Sequence, residues 1–473
     1  MRQVSGFDAA FLFSETPNAP MHIGSVAIFD PSTAPDGTVR FKRILQTINE
    51  RAHLAPYLRE RLVEVPFNAD FPYWVRDASF DPEFHVRHIA LPEPGDWRQL
   101  CIQVARLHAR ALDRSRPLWE LYIIEGLDNV EGVPKGSFAF VSKTHHAAID
   151  GATNHDVGTA MCDLTPEIRQ VEGAEDWQAD TPPTPFELTT MAFEHNLTRP
   201  LRYIDFLQKS MPAWGKALEA AASGALTPPP AVPRTRFNKT VSPHRVFEGV
   251  TLSLEEIKEV KNRFGATVND VVLAICAGAL RNYLLEKDEL PDQGLVSMCP
   301  INVRDSDSSS EIANQVVSMA APLHTDIADA GERLQAITQS TREAKHYTNA
   351  IGAKSMMEVA NFIPADLAVM GSRVAAEQGL ANFVSPEFNT VITNVPGSPV
   401  PVYSNGARHV RGWGLGPCVD GNGLFHSVGS YCGEVTIGIT CCRVMMPDPA
   451  RYAELLYESF AEVKSSSGIR EAG

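Results

Sequence analysis

Residues 143–152 read KTHHAAIDGA: two adjacent histidines, an aspartate four residues after the second, and a glycine behind it. The stretch leading in, GSFAFVSK, has the apolar and aromatic content of a strand, and ATNHDVGTAMCDL after Gly151 has helical spacing. The motif therefore sits on a strand-to-helix turn. His145, His146, Asp150, His155 and Asp156 are all ligand types, but a zinc site needs three or four side chains converging on one point. Neighbouring strand residues face opposite ways, so His145 and His146 do not share an ion, and no metal is expected. Two readings stay open on the residues alone. One imidazole faces a site while the other supports it, or one is simply buried and the other exposed. Asp150-Gly151 adds a carboxylate and a tight turn at a strand end, where loops commonly carry function.

Working outward, residues 1–165 mix strands and helices. MHIGSVAIFD (21–30) and LWELYIIEGL (118–127) read as strands. FKRILQTINERAHLAPYLRERL (41–62) and DWRQLCIQVARLHARALD (96–113) read as amphipathic helices. TPPTP (181–185) and TPPPAVPRTR (227–236) bracket a partly helical stretch containing PLRYIDFLQKSM, the punctuation of a linker over 166–245. The remainder, 246–473, again mixes the two. HRVFEGVTLSL is strand-like, SLEEIKEVKNRFG is a helix capped by Ser253 and Gly265, and TVNDVVLAICAGALRNYLLEK is a long buried helix. LVSMCPINVR, VVSMAAPL, FNTVITNVPG, LFHSVGSYC and EVTIGITCC follow as strands, 329–348 as a helix, and PARYAELLYESFAEVK as a closing helix. The expected fold is α/β (α+β): an N-terminal lobe over 1–165, a linker over 166–245 and a C-terminal lobe over 246–473, with a cleft between the lobes.

A chain of 473 residues exceeds one ordinary core. Its formal net charge of −15 argues against a nucleic-acid partner. Asp8 and Glu15 interrupt any apolar leader, and no run approaches the roughly 20 apolar residues of a spanning helix. The eight cysteines show no CxxC and read as reduced thiols of a cytoplasmic protein. Residues 196–245 carry Arg199, Arg202, Lys209, Lys216, Arg234, Arg236, Lys239 and Arg245 against Asp205 and Glu219. That basic island is either a solvated linker or a surface for phosphates. Residues 355–376, rich in methionine and small side chains, suit either an acyl channel or ordinary core.

HHxxxDG, here His145-His146-Ala147-Ala148-Ile149-Asp150-Gly151, resembles the signature of the CoA-dependent acyltransferase superfamily, which includes chloramphenicol acetyltransferase, carnitine acyltransferases and peptide-synthetase condensation domains. Further segments narrow the resemblance to bacterial wax ester synthase/diacylglycerol acyltransferases. RPLWELYIIEGL is similar to that family's PLW segment at Pro117, Leu118 and Trp119, and TVNDVVLAICAGALR to its ND segment at Asn269 and Asp270. TNVPGSP (393–399) is similar to its NVPGP segment, with Ser398 where the second proline usually stands, and the opening SGFDAAFLFSETPNAPMHIG also fits. The resemblance runs from about residue 4 to 465.

It implies two chloramphenicol-acetyltransferase-like lobes and transfer of a fatty acyl group from acyl-CoA to a long-chain alcohol or to diacylglycerol. His146 is then the general base, and His145 and Asp150 give structural support. Gly151 and Arg304, the latter as partner of Asp150, would hold the site. Asn269 is a candidate oxyanion donor, although a capping role for Asn269 and Asp270 reads equally well. Pro117, Leu118 and Trp119 would pack beside the acyl channel. No cofactor is implied, since acyl-CoA is a substrate. The substrates also imply peripheral association with the inner face of the cell membrane or with lipid inclusions. No oligomeric state follows. A related transferase with another acceptor, such as a peptidyl or polyketide hydroxyl, and a non-catalytic lipid-binding homologue are the competing readings.

Overall fold

Alternation of apolar and small residues through His22–Asp30 makes a strand that lies inside a sheet, and its register places the site. The computed structural model describes residues 1–149, 161–171, 178–222, 231–302, 316–351 and 364–468. Along the first half run β1 (Arg2–Gln3), α1 (Gly6–Ser14), β2 (His22–Asp30), α2 (Phe41–Arg51), β3 (Glu60–Val63) and β4 (Tyr73–Arg76). A helical turn α3 (Pro82–His85), β5 (Val86–Ala90), α4 (Trp97–His108), β6 (Trp119–Glu125) and β7 (Phe138–His145) follow. The long α5 (Pro185–Ala222) leads to β8 (Arg245–Ser253), α6 (Leu254–Phe264), α7 (Val268–Glu286), β9 (Val296–Asn302) and β10 (Val316–Pro322). The chain continues with α8 (Ala330–Ile351), α9 (Ala365–Glu377), β11 (Thr390–Pro396), β12 (Tyr403–Ser404) and β13 (Ala407–Leu415). It closes with β14 (Leu424–Tyr431), β15 (Glu434–Cys442) and α10 (Pro449–Ser466).

Two six-stranded mixed sheets organise the lobes, in the orders β12-β13-β2-β7-β6-β5 and β10-β9-β11-β14-β15-β8, beside a small sheet β1-β4-β3. In the first, only β5 and β6 run parallel; in the second, β9, β11 and β14 do. α4 packs one face of the first sheet through Leu100, Val104 and Leu107 against Val26, Ile28 and Ile124. α2 covers the other face through Ile44 and Ile48. The second sheet is backed by α7, whose residues Val271 to Leu280 are all buried. α7 is long and apolar enough to cross a bilayer, and it is instead the core helix of this lobe. Cys441 and Cys442 point to opposite faces of β15 and both are buried, as are four of the other six free cysteines, Cys432 being exposed and Cys162 half-buried.

Two sequence expectations change. The helix over 41–62 stops at Arg51, gives way to single turns at Ala52–Leu54 and Pro56–Leu58, and ends as β3. Pro56 cannot donate a main-chain hydrogen bond and disfavours helical backbone at Ala55 before it. More consequentially, residues 403–415 lie within the stretch 246–473, yet β13 pairs antiparallel with β2 of the N-terminal sheet, from Arg408 opposite Asp30 to Leu415 opposite Gly24. The same strand touches the second sheet. A Cβ on Gly438 of β15 would lie 2.1 Å from the carbonyl oxygen of Gly414, so the two sheets meet there backbone to backbone. Trp413 Nε1 donates to the Val250 carbonyl at 3.1 Å, and Trp97 of α4 donates to Glu248 of β8.

Candidate active site

The end of β7 carries both histidines. The His145 main-chain N–H donates to the Leu118 carbonyl and that of His146 to the Met21 carbonyl, both at 2.9 Å. Pinned from opposite sides, the two side chains diverge. His145 is fully buried. Its Nδ1 accepts the Ala147 N–H at 3.1 Å, which leaves the proton on Nε2, 3.8 Å from Glu15 Oε2. That separation is an ion-pair distance rather than a hydrogen bond.

His146 is half-buried and stacks on Phe11 of α1, with ring centroids 3.9 Å apart and planes within 12°. Burial pushes its pKa down, a main-chain hydrogen bond of its own residue pulls it back, and the charge of His145 lowers it further, to about 4. At pH 7 the imidazole is therefore neutral and able to take a proton.

Glu15, just past the end of α1, is a junction that the sequence reading missed. Arg114 Nε and Nη2 donate to its Oε2 at 3.0 and 2.7 Å, and the Met21 N–H donates to its Oε1 at 3.2 Å. Burial raises the carboxyl pKa, but His145 and Arg114 outweigh it and hold it at about 2. Since Met21 in turn accepts from His146, Glu15 fixes the backbone on which the second histidine hangs. Neither Glu15 nor Phe11 carries a spacing that marks it. Both lie in the opening segment, which entered the reading only as part of a resemblance.

The PLW segment supplies backbone rather than an open surface. Pro117, Leu118 and Trp119 are buried. Leu118 packs with Leu12, Ala147 and Ala365, while Trp119 stacks on His85 at 4.5 Å and donates to the Leu58 carbonyl at 3.0 Å. Asp270 closes a capping box with Thr267 at the start of α7 and accepts from Thr341 Oγ1 at 2.8 Å, a structural duty. Asn269 Oδ1 accepts from Asn394 Nδ2 at 3.3 Å, so the ND and NVPG segments meet. Asp150, Gly151, His155, Asp156, Arg304 and residues 355–363 lie outside the described residues. The chain returns at Met161 and is fixed by Asp163. Its carboxylate pairs with the buried Arg51 at 3.0 Å, and its backbone exchanges two hydrogen bonds with Tyr403.

Among the described residues, no three of His, Cys, Asp or Glu converge as a metal cluster. Four of the eight basic residues of the island are engaged within the protein. Arg199 pairs with Asp70, Arg234 donates to the Ala381 and Val384 carbonyls, Arg236 pairs with Glu289, and Arg245 donates to the Asn18 and Cys418 carbonyls. A separate cavity of about 600 Å³ opens between the lobes, lined by Trp97, Trp413, Tyr457 and the Arg411–Glu434 pair, and neither histidine lines it.

Residues 4–272 match the wax ester synthase/diacylglycerol acyltransferase catalytic domain, and residues 312–464 match the WS/DGAT C-terminal domain. A protein of Mycobacterium tuberculosis (strain ATCC 25618 / H37Rv) named as a diacylglycerol O-acyltransferase is 31% identical, over 100% of this chain and 92% of its own. The solved wax ester synthase/diacylglycerol acyltransferase of Marinobacter aquaeolei VT8 superposes with a TM-score of 0.68 at 28% identity, covering 99% of this chain and 100% of that one. The first condensation domain of the CDA synthetase superposes at 0.55 with 14% identity, over 100% and 97%, a likeness of fold alone.

Proposed function

The chain belongs to the wax ester synthase/diacylglycerol acyltransferase family, and from that premise we infer that it is an acyl-CoA-dependent O-acyltransferase, moving a fatty acyl group onto the hydroxyl of a long-chain alcohol or a diacylglycerol. The observation that carries the chemistry is the half-buried, neutral imidazole of His146 at the end of β7. An alcohol becomes an adequate nucleophile only as its proton leaves. His146 takes that proton while the oxygen bonds to the thioester carbon. The tetrahedral adduct collapses with cleavage of the carbon–sulfur bond. CoA leaves as a thiolate, whose pKa near that of a cysteine thiol, about 8.5, lets it recover the proton from the imidazolium. Attack is direct, with both substrates bound and no acyl-enzyme.

In this reading Asp150 and Gly151 shape the turn behind the base and Arg304 partners Asp150. The lobes 1–165 and 246–473 hold the substrates between them, and acyl-CoA is consumed with no added cofactor. The same reading puts the enzyme peripherally at the inner face of the membrane or at lipid inclusions. Exposed apolar side chains support this. Phe186, Phe193, Leu197, Ile204 and Met211 recur along α5 within roughly 40° of one another. Leu367, Met370 and Val374 line α9, and Phe67 is 94% exposed on the turn that packs against both helices.

The test is release of CoA thiol from a fatty acyl-CoA with hexadecanol, with diacylglycerol and with short alcohols, His146→Ala serving as control. Release with a fatty alcohol or diacylglycerol that vanishes in the variant is the expected result. No release with any acceptor overturns the reading.

A further inference from the structure

The two histidines of the motif point apart, yet one helix reaches both. Phe11 and Glu15 are four residues apart, the spacing at which side chains share a helical face. Phe11 lies flat on the His146 imidazole, and Glu15, at the C-cap of α1, faces Nε2 of His145. We propose that α1 and its C-cap are the positioning element of the catalytic pair, Phe11 orienting the base from its face and Glu15 orienting the supporting histidine and the backbone beneath both.

α1 is held firmly enough for that task. Ser5 caps it, its hydroxyl accepting the Asp8 N–H at 3.0 Å, and the Val4 N–H donates to the Pro72 carbonyl at 2.9 Å. Before it, β1 pairs with β4. Its inner face, Ala9 and Leu12, packs against Ala147, the residue directly after His146. From outside, α9 braces it, with Ser372 Oγ donating to the Phe13 carbonyl at 2.6 Å. Arg114 ties the C-terminal end, donating both to Glu15 and to the Leu12 carbonyl at 2.5 Å. A ring stacked face-on leaves the edge of the imidazole uncovered, and because Nδ1 on that edge is buried, Nε2 is the nitrogen offered to a substrate hydroxyl. The stack also strips water from the ring, which accords with the depressed pKa of His146. Among the described residues the ionisable neighbours are His145 on the same strand, then Glu15 and Arg114 around it.

This rests on reading His146 as the base, so the first measurement needs no turnover. Titration of the His146 imidazole by NMR in the full-length protein is expected to give a value in Phe11→Leu about one unit or more above wild type. Phe11→Tyr, which keeps the stack, stays at wild type and controls for folding. In the transferase assay, Phe11→Leu and Glu15→Gln each lower kcat about tenfold or more with KM for acyl-CoA little changed, since both misplace the same pair. The acid limb of kcat/KM moves up in Phe11→Leu, and the double variant loses less than the product of the single losses. An unshifted titration in a folded Phe11→Leu, independent multiplicative losses, or a loss confined to KM each overturn the proposal. A shifted titration in a protein that transfers no acyl group would leave the positioning intact and sink the transferase reading instead.

Discussion

At the scale of single residues, adjacency on a strand decides the division of labour. Only His146 is open enough to meet a substrate, and His145 is locked by Ala147 and Glu15. His146→Ala is expected to lose about 10²–10⁴-fold in kcat with an unchanged melting temperature, the usual range for a general base. His145→Ala should lose less activity and more stability. Equal losses with normal melting would remove the single-base assignment. Because His146 titrates near 4, kcat/KM should fall only as pH drops towards that value and stay flat around neutrality. A limb at the ordinary 6.5 would mean the ring is solvated in the working enzyme. The pair itself was legible in the sequence, because HHxxxDG carries a fixed spacing and strand alternation separates its histidines. Its supports were not. Glu15 is an acid before a strand and becomes a buried anchor only when Arg114, some hundred residues on, folds against it.

Among the elements, most strands and helices with strong periodicity were read correctly, including α7 and the strand β9 that follows it. β13 was not. Its residues, ARHVRGWGL, mix two arginines, a histidine and two glycines with few β-formers, so neither alternation nor propensity marks them. The glycines are there because the strand is crowded on both sides, not because it is a loop. Gly438→Ala tests this. The added methyl would meet the Gly414 backbone, which no rotamer change can relieve, so a loss of about 1–3 kcal/mol is expected by denaturant unfolding. Turnover should fall with it, since the sheets carrying the site would be wedged apart. A variant as stable as wild type would mean the sheets separate freely. The helix read over 41–62 failed differently. Its apolar pattern continues past Pro56, and the main chain cannot follow.

For the whole molecule, buried histidines set the response to acid. Burial holds His108 near 3 and His146, His409 and His426 near 4, with His22 also well below its ordinary 6.5. The unfolded chain binds protons at these sites first. Stability is therefore fully present above pH 6.5 and is lost as pH falls towards 4, by about 1.4 kcal/mol per pH unit for each such histidine. Glu15 adds to the loss below its ordinary 4.5. Thermal melting between pH 7 and 4.5 should show a steep decline; a flat profile would mean these rings are not excluded from water. The exposed apolar side chains give a second whole-molecule expectation. Replacing Phe67, Phe193 and Leu197 together by serine should lower partitioning onto lipid vesicles by at least about tenfold, given roughly 1.5–3 kcal/mol per buried large apolar side chain. It should spare activity on a water-soluble alcohol, and unchanged partitioning would remove the surface from the membrane. Finally, the strand that joins the sheets comes late. On the ribosome, the outer edge of β2 waits for a partner until residues 407–415 emerge, with most of the polypeptide already made. A bare strand edge is a template for foreign pairing. Nascent chains that stall or terminate before Ala407 are thus expected to be sticky as well as inactive, and quality control during translation, more than the stability of the finished enzyme, would govern its yield.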